Sequence, residues 1–512
     1  MKDRTPKFPG RVKLKPVSGQ TDTYDMTRAD DPDDTGTPFN KRTMLQDSTA
    51  QFLKLPLANP FPDDALRHMV DRIVPIGTIR TSPAQSLGDA WLKCDGSAVT
   101  YGNYPQLCQV LRNSTEAVTW NSNTFPTSYN INKASNPVYF DGRWIVAVAD
   151  ESTYIRILSA QTLDGEWTVE KTITADTTYT TQSEDVYSRA GALRITADQN
   201  YCVVAYRYKI SANKLGIGAA TIEKESDEWT TILFPESEFI DIKYLLGVGN
   251  WNGRFAIAGS GKWPSGASSL EAKDVQIFYT NTPTSNEGWE QKGLNITFGN
   301  KNTATACGAF ACVNGKWIIE AAGELGGSGT VNVRMHVFAC DDSSLFSFES
   351  VAYIDLGFYI TGNERVSEPV YMGGRYYFAT VGYRADVTGL ATTLYSSLDL
   401  ASWDAGTEID IGDTSSACNA IANESMLVIA NSRKVLTSTM PDAGFVQAVT
   451  PNASVHGLGV RGNTVVASTV TGILYYDYTY VSKLLPNISL SSDTTTFIKA
   501  KNELDVFEAG GD

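Results

Sequence analysis

Clustered histidine, paired cysteine, a cationic surplus and any long apolar run are all missing from this sequence. The three histidines, His68, His336 and His456, lie far apart, and none has a second His or Cys at ligand spacing. That excludes the usual zinc arrangements. Seven cysteines (Cys94, Cys108, Cys202, Cys307, Cys312, Cys340 and Cys418) are odd in number and never spaced as CxxC. They read as small core residues rather than a disulfide frame or a metal site, and nothing calls for a cofactor. Asp and Glu outnumber Lys and Arg by 57 to 42, the wrong sign for gripping nucleic acid or an anionic membrane surface. The longest apolar stretches, such as WIVAVA from Trp144, fall far short of the ~18 residues of a spanning helix, so no membrane insertion is expected. The opening MKDRTPKFPG lacks the apolar centre of a secretory signal, which leads us to expect synthesis in a cytoplasm.

What is present favours strands. Aromatics make up 11% of the chain, and Gly, Ser and Thr are abundant, a composition suited to short strands and tight turns. Three regions separate. Residues 1–74 carry an acidic, proline-containing stretch, TDTYDMTRADDPDDTGTP, expected to be extended and without a core. Two short helices, KRTMLQDSTAQFL capped by Asn40 and ALRHMVDRI after Pro62, are expected behind it. Residues 75–115 read as strands IGTIR and WLKC, a turn at Asp95 and Gly96, and a helix opened by Pro105 with Leu107, Val110 and Leu111 on one face.

From about residue 116 to 480 the chain repeats. NPVYFDGRWIVA, GALRITADQNYCVVA, YLLGVGNWNGRFAIA, CGAFACVNGKWIIEA, EPVYMGGRYYFA, CNAIANESMLVIA and HGLGVRGNTVVA each place a strand, a turn and a second strand. The residue after the turn is Trp144, Tyr201, Phe255, Trp317, Tyr376, Met426 or Thr464, and an Ala follows three or four residues on. Steps of 38 to 62 residues are those of a propeller or solenoid. A second turn with an aromatic follows in most copies, as at Trp167, Trp229, Trp289, Phe346, Trp403 and Phe445. The expected fold is mainly β: a seven-bladed β-propeller, closed by Glu116 to Trp120 supplying the outer strand of the last blade, inserted into a small α+β domain.

That small domain resembles the tail collar fibre domain of tailed phages. The resemblance is carried by Val74, Gly77, Thr78 and Ile79, by Trp91, Leu92, Cys94, Asp95 and Gly96, and by Tyr104, Pro105 and Leu107. The ending LLPNISLSSDTTTFIKAK is similar to the close of such domains, so residues 75–115 and 481–512 are read as two halves of one collar-like domain. Lys93 departs from the usual apolar residue at its position. The leader, with PGRVKLKPVSG, YDM and GTPFNKRTML, resembles virion-attachment segments of tail fibre and baseplate proteins. The resemblance implies a virion tail component made in a host bacterium, homotrimeric, touching other tail or baseplate proteins, with no catalysis. No functional residues transfer with it.

The turns QTLDGEW and SSLDLASW also resemble the Asp-box of sialidases, which is a structural turn and marks the fold rather than the activity. A sialidase needs three convergent arginines. Arg143, Arg254 and Arg375, with Lys316, share one repeat position after the first hairpin turn and read as structural. GSGKWPSG from Gly259 lacks the features of a phosphate loop. Between second and third strands, Trp263 and, more weakly, Arg384 and Asp386 are candidates for contacting a host cell-surface glycan or protein; covering an adjoining blade is the plainer reading of Trp263. Three functions stay open: a receptor-binding tail fibre protein, a structural collar or decoration protein, and a propeller glycosidase.

Overall fold

The computed structural model describes residues 12–19, 21, 23–28, 76–82, 86–87, 90–111, 118–150, 154–174, 193–211, 214–234, 242–261, 275–294, 307–325, 332–344, 346–359, 365–384, 390–411, 418–431, 433–439, 441–451, 453–485, 488 and 495–501. The chain divides into two compact units. One comprises Met1–Ala98, Gln106–Leu111 and Leu485–Asp512; the other comprises Val99–Pro105 and Arg112–Leu484.

In the first unit, three strands form a sheet in the order Ile79–Ser82, Thr495–Lys499, Trp91–Lys93. The strand nearest the C-terminus is central, pairing Arg80 with Phe497 on one side and Leu92 with Ile498 on the other. A central strand needs apolar side chains on both faces, and Phe497 and Ile498 are both buried. Leu107, Cys108 and Leu111 are buried at the end of the short helix Pro105–Val110, whereas Val110 is exposed. The expected face is therefore turned by one position, with Cys108 replacing Val110 as an inward residue. Toward the N-terminus, Val12–Pro16 and Tyr24–Arg28 pair as an antiparallel hairpin, Leu14 opposite Met26. That stretch is thus paired rather than merely extended, because alternating apolar residues on each strand meet across one face. The helices expected over 41–53 and 65–73 lie outside the described residues, and a helical N-terminus has no support among those that are described.

The second unit is built of antiparallel meanders in which the first strand is an edge and the chain zigzags outward. Typical is the sheet Leu193–Ala197, Tyr201–Ser211, Lys214–Glu223, Thr230–Leu233. Tight turns dictate it. Asp141–Gly142, Asn252–Gly253, Asn314–Gly315 and Gly373–Gly374 all carry two successive positive φ angles, the backbone of the two-residue hairpin that Asn-Gly and Asp-Gly favour. The alanines at 147, 205, 258, 321, 379, 430 and 467 are all buried, as expected where neighbouring sheets crowd. Glycines let the inner strands approach: a Cβ on Gly457 would sit 2.4 Å from backbone atoms of Asn136.

Among the described residues the repeats form six sheets, one of them nine-stranded because Phe358 and Tyr359 pair with Arg384 and Tyr383 and fuse two successive repeats. In another, strands Gly457–Arg461, Thr464–Ser468 and Gly472–Asp477 are completed by Asn121–Thr124, Gly472 opposite Thr124 and Tyr475 opposite Asn121. The two ends of the repeat region thus meet in one sheet. The closing strand starts just after the expected Glu116–Trp120, because Trp120 packs its ring edge-on against Tyr476 at 4.7 Å and the pairing follows it. The first strands of successive meanders touch one another in turn, Gly457–Arg461 returning to Val138–Phe140, and such a closed ring of meanders is the architecture of a β-propeller.

Candidate functional site

Trp263 and Asp386 lie outside the described residues. Arg384 ends the strand Arg375–Arg384, where its backbone pairs with Phe358. Trp91, Cys94, Asp95 and Gly96 belong to the first unit. Its N–H group ties Cys94 to Thr496 at 2.8 Å, and burial pushes its thiol pKa up. Hydrogen bonds from the side chain and then the backbone N–H of Ser97, the latter at 2.9 Å, lower the Asp95 pKa, and Gly96 follows Asp95 at φ 78°. The pair forms a turn.

The repeated cations after the first hairpin turn are each neutralised by a carboxylate, three within their own sheet and Arg254 by one from the next repeat. Arg143 meets Glu170 at 2.6 Å and Asp141 at 3.3 Å, Arg254 meets Asp342 at 2.7 Å, Lys316 meets Asp341 at 2.5 Å, and Arg375 pairs with Asp404. Glu170 also accepts the Trp229 indole N–H from the next sheet at 2.8 Å. These are ties between strands and sheets. The Asp-box-like turn is structural too: Asp399 accepts from the N–H groups of Ala401 and Ser402, Ser397 donates to the Ser402 carbonyl, and the Trp403 indole caps Leu400.

What the fold does assemble is a cavity of about 520 Å³ at the centre of the second unit, lined by a segment of each of the seven repeats. Six of these segments are first strands paired on one side only, so their free edges turn N–H and C=O groups toward it. Amides dominate the side chains: Asn136, Asn250, Asn314 and Asn419, with Trp251 and Tyr371 as half-buried aromatics. Each amide nitrogen ties its sheet to the next. Asn136 brackets Ile195, donating to its carbonyl at 3.0 Å and accepting from its N–H at 3.3 Å. Asn250 donates to Thr196 at 2.6 Å, and Asn314 to the Tyr376 hydroxyl at 3.3 Å.

One repeat breaks the pattern. Ser135-Asn136-Pro137 recurs as Ser367-Glu368-Pro369, and both serines accept the N–H of their blade's buried alanine, Ala147 or Ala379. Glu368 therefore occupies the position of Asn136 with a carboxylate, which cannot donate as an amide does. It reaches Arg194 instead, Nε to Oε1 at 2.8 Å. Arg194 is buried, and behind this pair Glu320 is wholly buried with neither carboxyl oxygen hydrogen-bonded. Burial, reinforced by the charge of Glu368, holds the Glu320 pKa well above the usual carboxylate range. Burial also raises that of Glu368, with Arg194 acting against it.

Sequence reasoning passed over these residues. Two signals were available: Arg194 in LRIT and Glu320 in WIIEAA each set a charge into an otherwise apolar strand. The partner of Arg194 had no such mark.

No protein-family model matches the chain, and no curated protein matches it. Among solved structures it is similar to the GH93 α-L-arabinofuranosidase of Fusarium graminearum (10% identity, 72% of this chain and 99% of that one, TM-score 0.38). It is also similar to the lectin of Aleuria aurantia (12%, 64% and 98%, TM-score 0.38) and to BamB from Moraxella catarrhalis (9%, 72% and 98%, TM-score 0.36). At that distance they transfer neither activity nor ligand.

Proposed function

We propose that this chain is a receptor-binding protein of a phage tail, in which residues 116–480 form a seven-bladed propeller that engages a host cell-surface glycan. In this reading the nine-stranded sheet is two blades joined at their rims. Residues 75–115 and 481–512 make the collar-like, trimerising domain, and residues 1–74 attach it to other tail proteins. Three copies multiply a weak single-site affinity where receptor spacing matches the assembly.

The observation that weighs against a sialidase-type mechanism is the fate of the cations. Arg143, Arg254, Lys316 and Arg375 are each paired with a carboxylate, and Arg194, the one cation lining the cavity among the described residues, is paired with Glu368. No convergent set of arginines is left among the described residues to hold a sugar carboxylate for catalysis.

The test is adsorption of the purified protein to candidate host cells and their extracted surface glycans, with the supernatant assayed for released sugars. Saturable binding without release is expected. Release of sugars overturns the non-enzymatic reading. Absence of both binding and release moves the protein to a structural role in the tail.

A further inference from the structure

We infer that the central cavity is itself a saccharide site, and that it takes a neutral mono- or disaccharide in preference to an acidic one. The inference rests on the carbohydrate-binding reading above and moves its contact from the loops between second and third strands to the centre of the propeller.

Size, polarity and charge converge on this ligand class. The volume, about 520 Å³, falls within the roughly 300–1,000 Å³ of pockets that hold small molecules. A sugar hydroxyl both donates and accepts, and the cavity offers both functions in quantity. Free strand edges supply N–H and C=O groups, and the amide nitrogens of Asn250 and Asn314 are committed to neighbouring sheets, which orients their carbonyl oxygens as fixed acceptors. Trp251 and Tyr371 line the same space and give the apolar face of a sugar ring something to stack on. A purely apolar ligand would strand these polar groups at a cost.

Charge decides between sugars. A site built for a uronic or sialic acid presents an uncompensated guanidinium to the carboxylate. Here the guanidinium of Arg194 already has Glu368 at 2.8 Å. The lining is therefore neutral in sum, and an incoming carboxylate would meet Glu368 as a like charge.

Calorimetric titration of the full chain with methyl glucoside, N-acetylglucosamine and lactose, against glucuronic acid and N-acetylneuraminic acid, tests this. Expected is binding of at least one neutral sugar with a Kd of ~0.1–10 mM, at least tenfold tighter than either acid. Tyr371→Ala should weaken the neutral sugar by tenfold or more without reversing this order. Glu368→Gln, which leaves Arg194 uncompensated, should shift selectivity toward the acids by tenfold or more, read as a ratio on folded protein. Acids bound as well as or better than neutral sugars by the unaltered chain overturn the inference. So does neutral-sugar binding untouched by both substitutions: carbohydrate recognition then survives, located elsewhere. Failure of every sugar together with failure to adsorb to cells or glycans removes the underlying reading as well.

Discussion

Arg194 and Glu368, from the second and fifth repeats, meet across the central cavity at 2.8 Å. Their contact joins inner edges that share no backbone hydrogen bond, and it exists because one repeat carries Glu where its counterpart carries Asn136.

Removing one member of this pair strands the other. Glu368→Ala should destabilise the second unit by about 2–4 kcal/mol, since Arg194 is left buried without its counter-charge. Replacing both with Met should recover most of the loss. Urea unfolding midpoints with an unchanged m-value would check it; equal losses in the single and double variants would contradict it.

Glu320 should make stability fall as pH rises. Its folded pKa is raised, so the folded state holds a proton that the unfolded chain releases at the ordinary Glu value of about 4.3. Stability is full below that value and is lost progressively as pH climbs toward the higher folded pKa. Glu320→Gln should flatten this descent and leave the protein more stable than the parent at alkaline pH. Unfolding free energies measured from pH 4 to 9 would reveal it.

His336 should act in the opposite direction. Its ring lies 3.8 Å from Phe338 and 3.9 Å from Tyr353, and burial lowers its pKa from 6.5 to about 4. Between these values the unfolded chain binds the proton and the folded one does not, so stability rises with pH through that window. An NMR titration of the His336 ring should show it neutral at pH 5.5, and His336→Gln should remove its share of the slope. A midpoint near 6.5 would contradict the packing.

Gly457→Ala should cost about 1–3 kcal/mol, because the new methyl meets the Asn136 backbone, which cannot swing aside as a side chain does. Gly293→Ala, with open space around the added carbon, is the control and should fall well below it. Thermal unfolding of the two variants separates them.

Much of the fold was legible in the residues. Asp-Gly, Asn-Gly and Gly-Gly dipeptides demand positive φ and so place the hairpins; the alanines three or four residues on mark where sheets crowd. The shared repeat position of Arg143, Arg254, Lys316 and Arg375, directly after the first hairpin turn, announced a structural role, and each proved to be ion-paired. Local chemistry of this kind is written in the sequence because its partners are near neighbours or recur with the repeat.

Three things only the tertiary structure decided. The closing strand began at Asn121 rather than at Glu116, since the ring of Trp120 had first to find Tyr476. Val110 turned outward and Cys108 inward, because the helix is too short for its periodicity to fix a face. The central cavity was unreadable for a different reason: its lining is drawn from seven segments spread between Asn136 and Leu458. A single chain carries no local signal that Arg194 will face Glu368, because only closure of the ring brings them within reach.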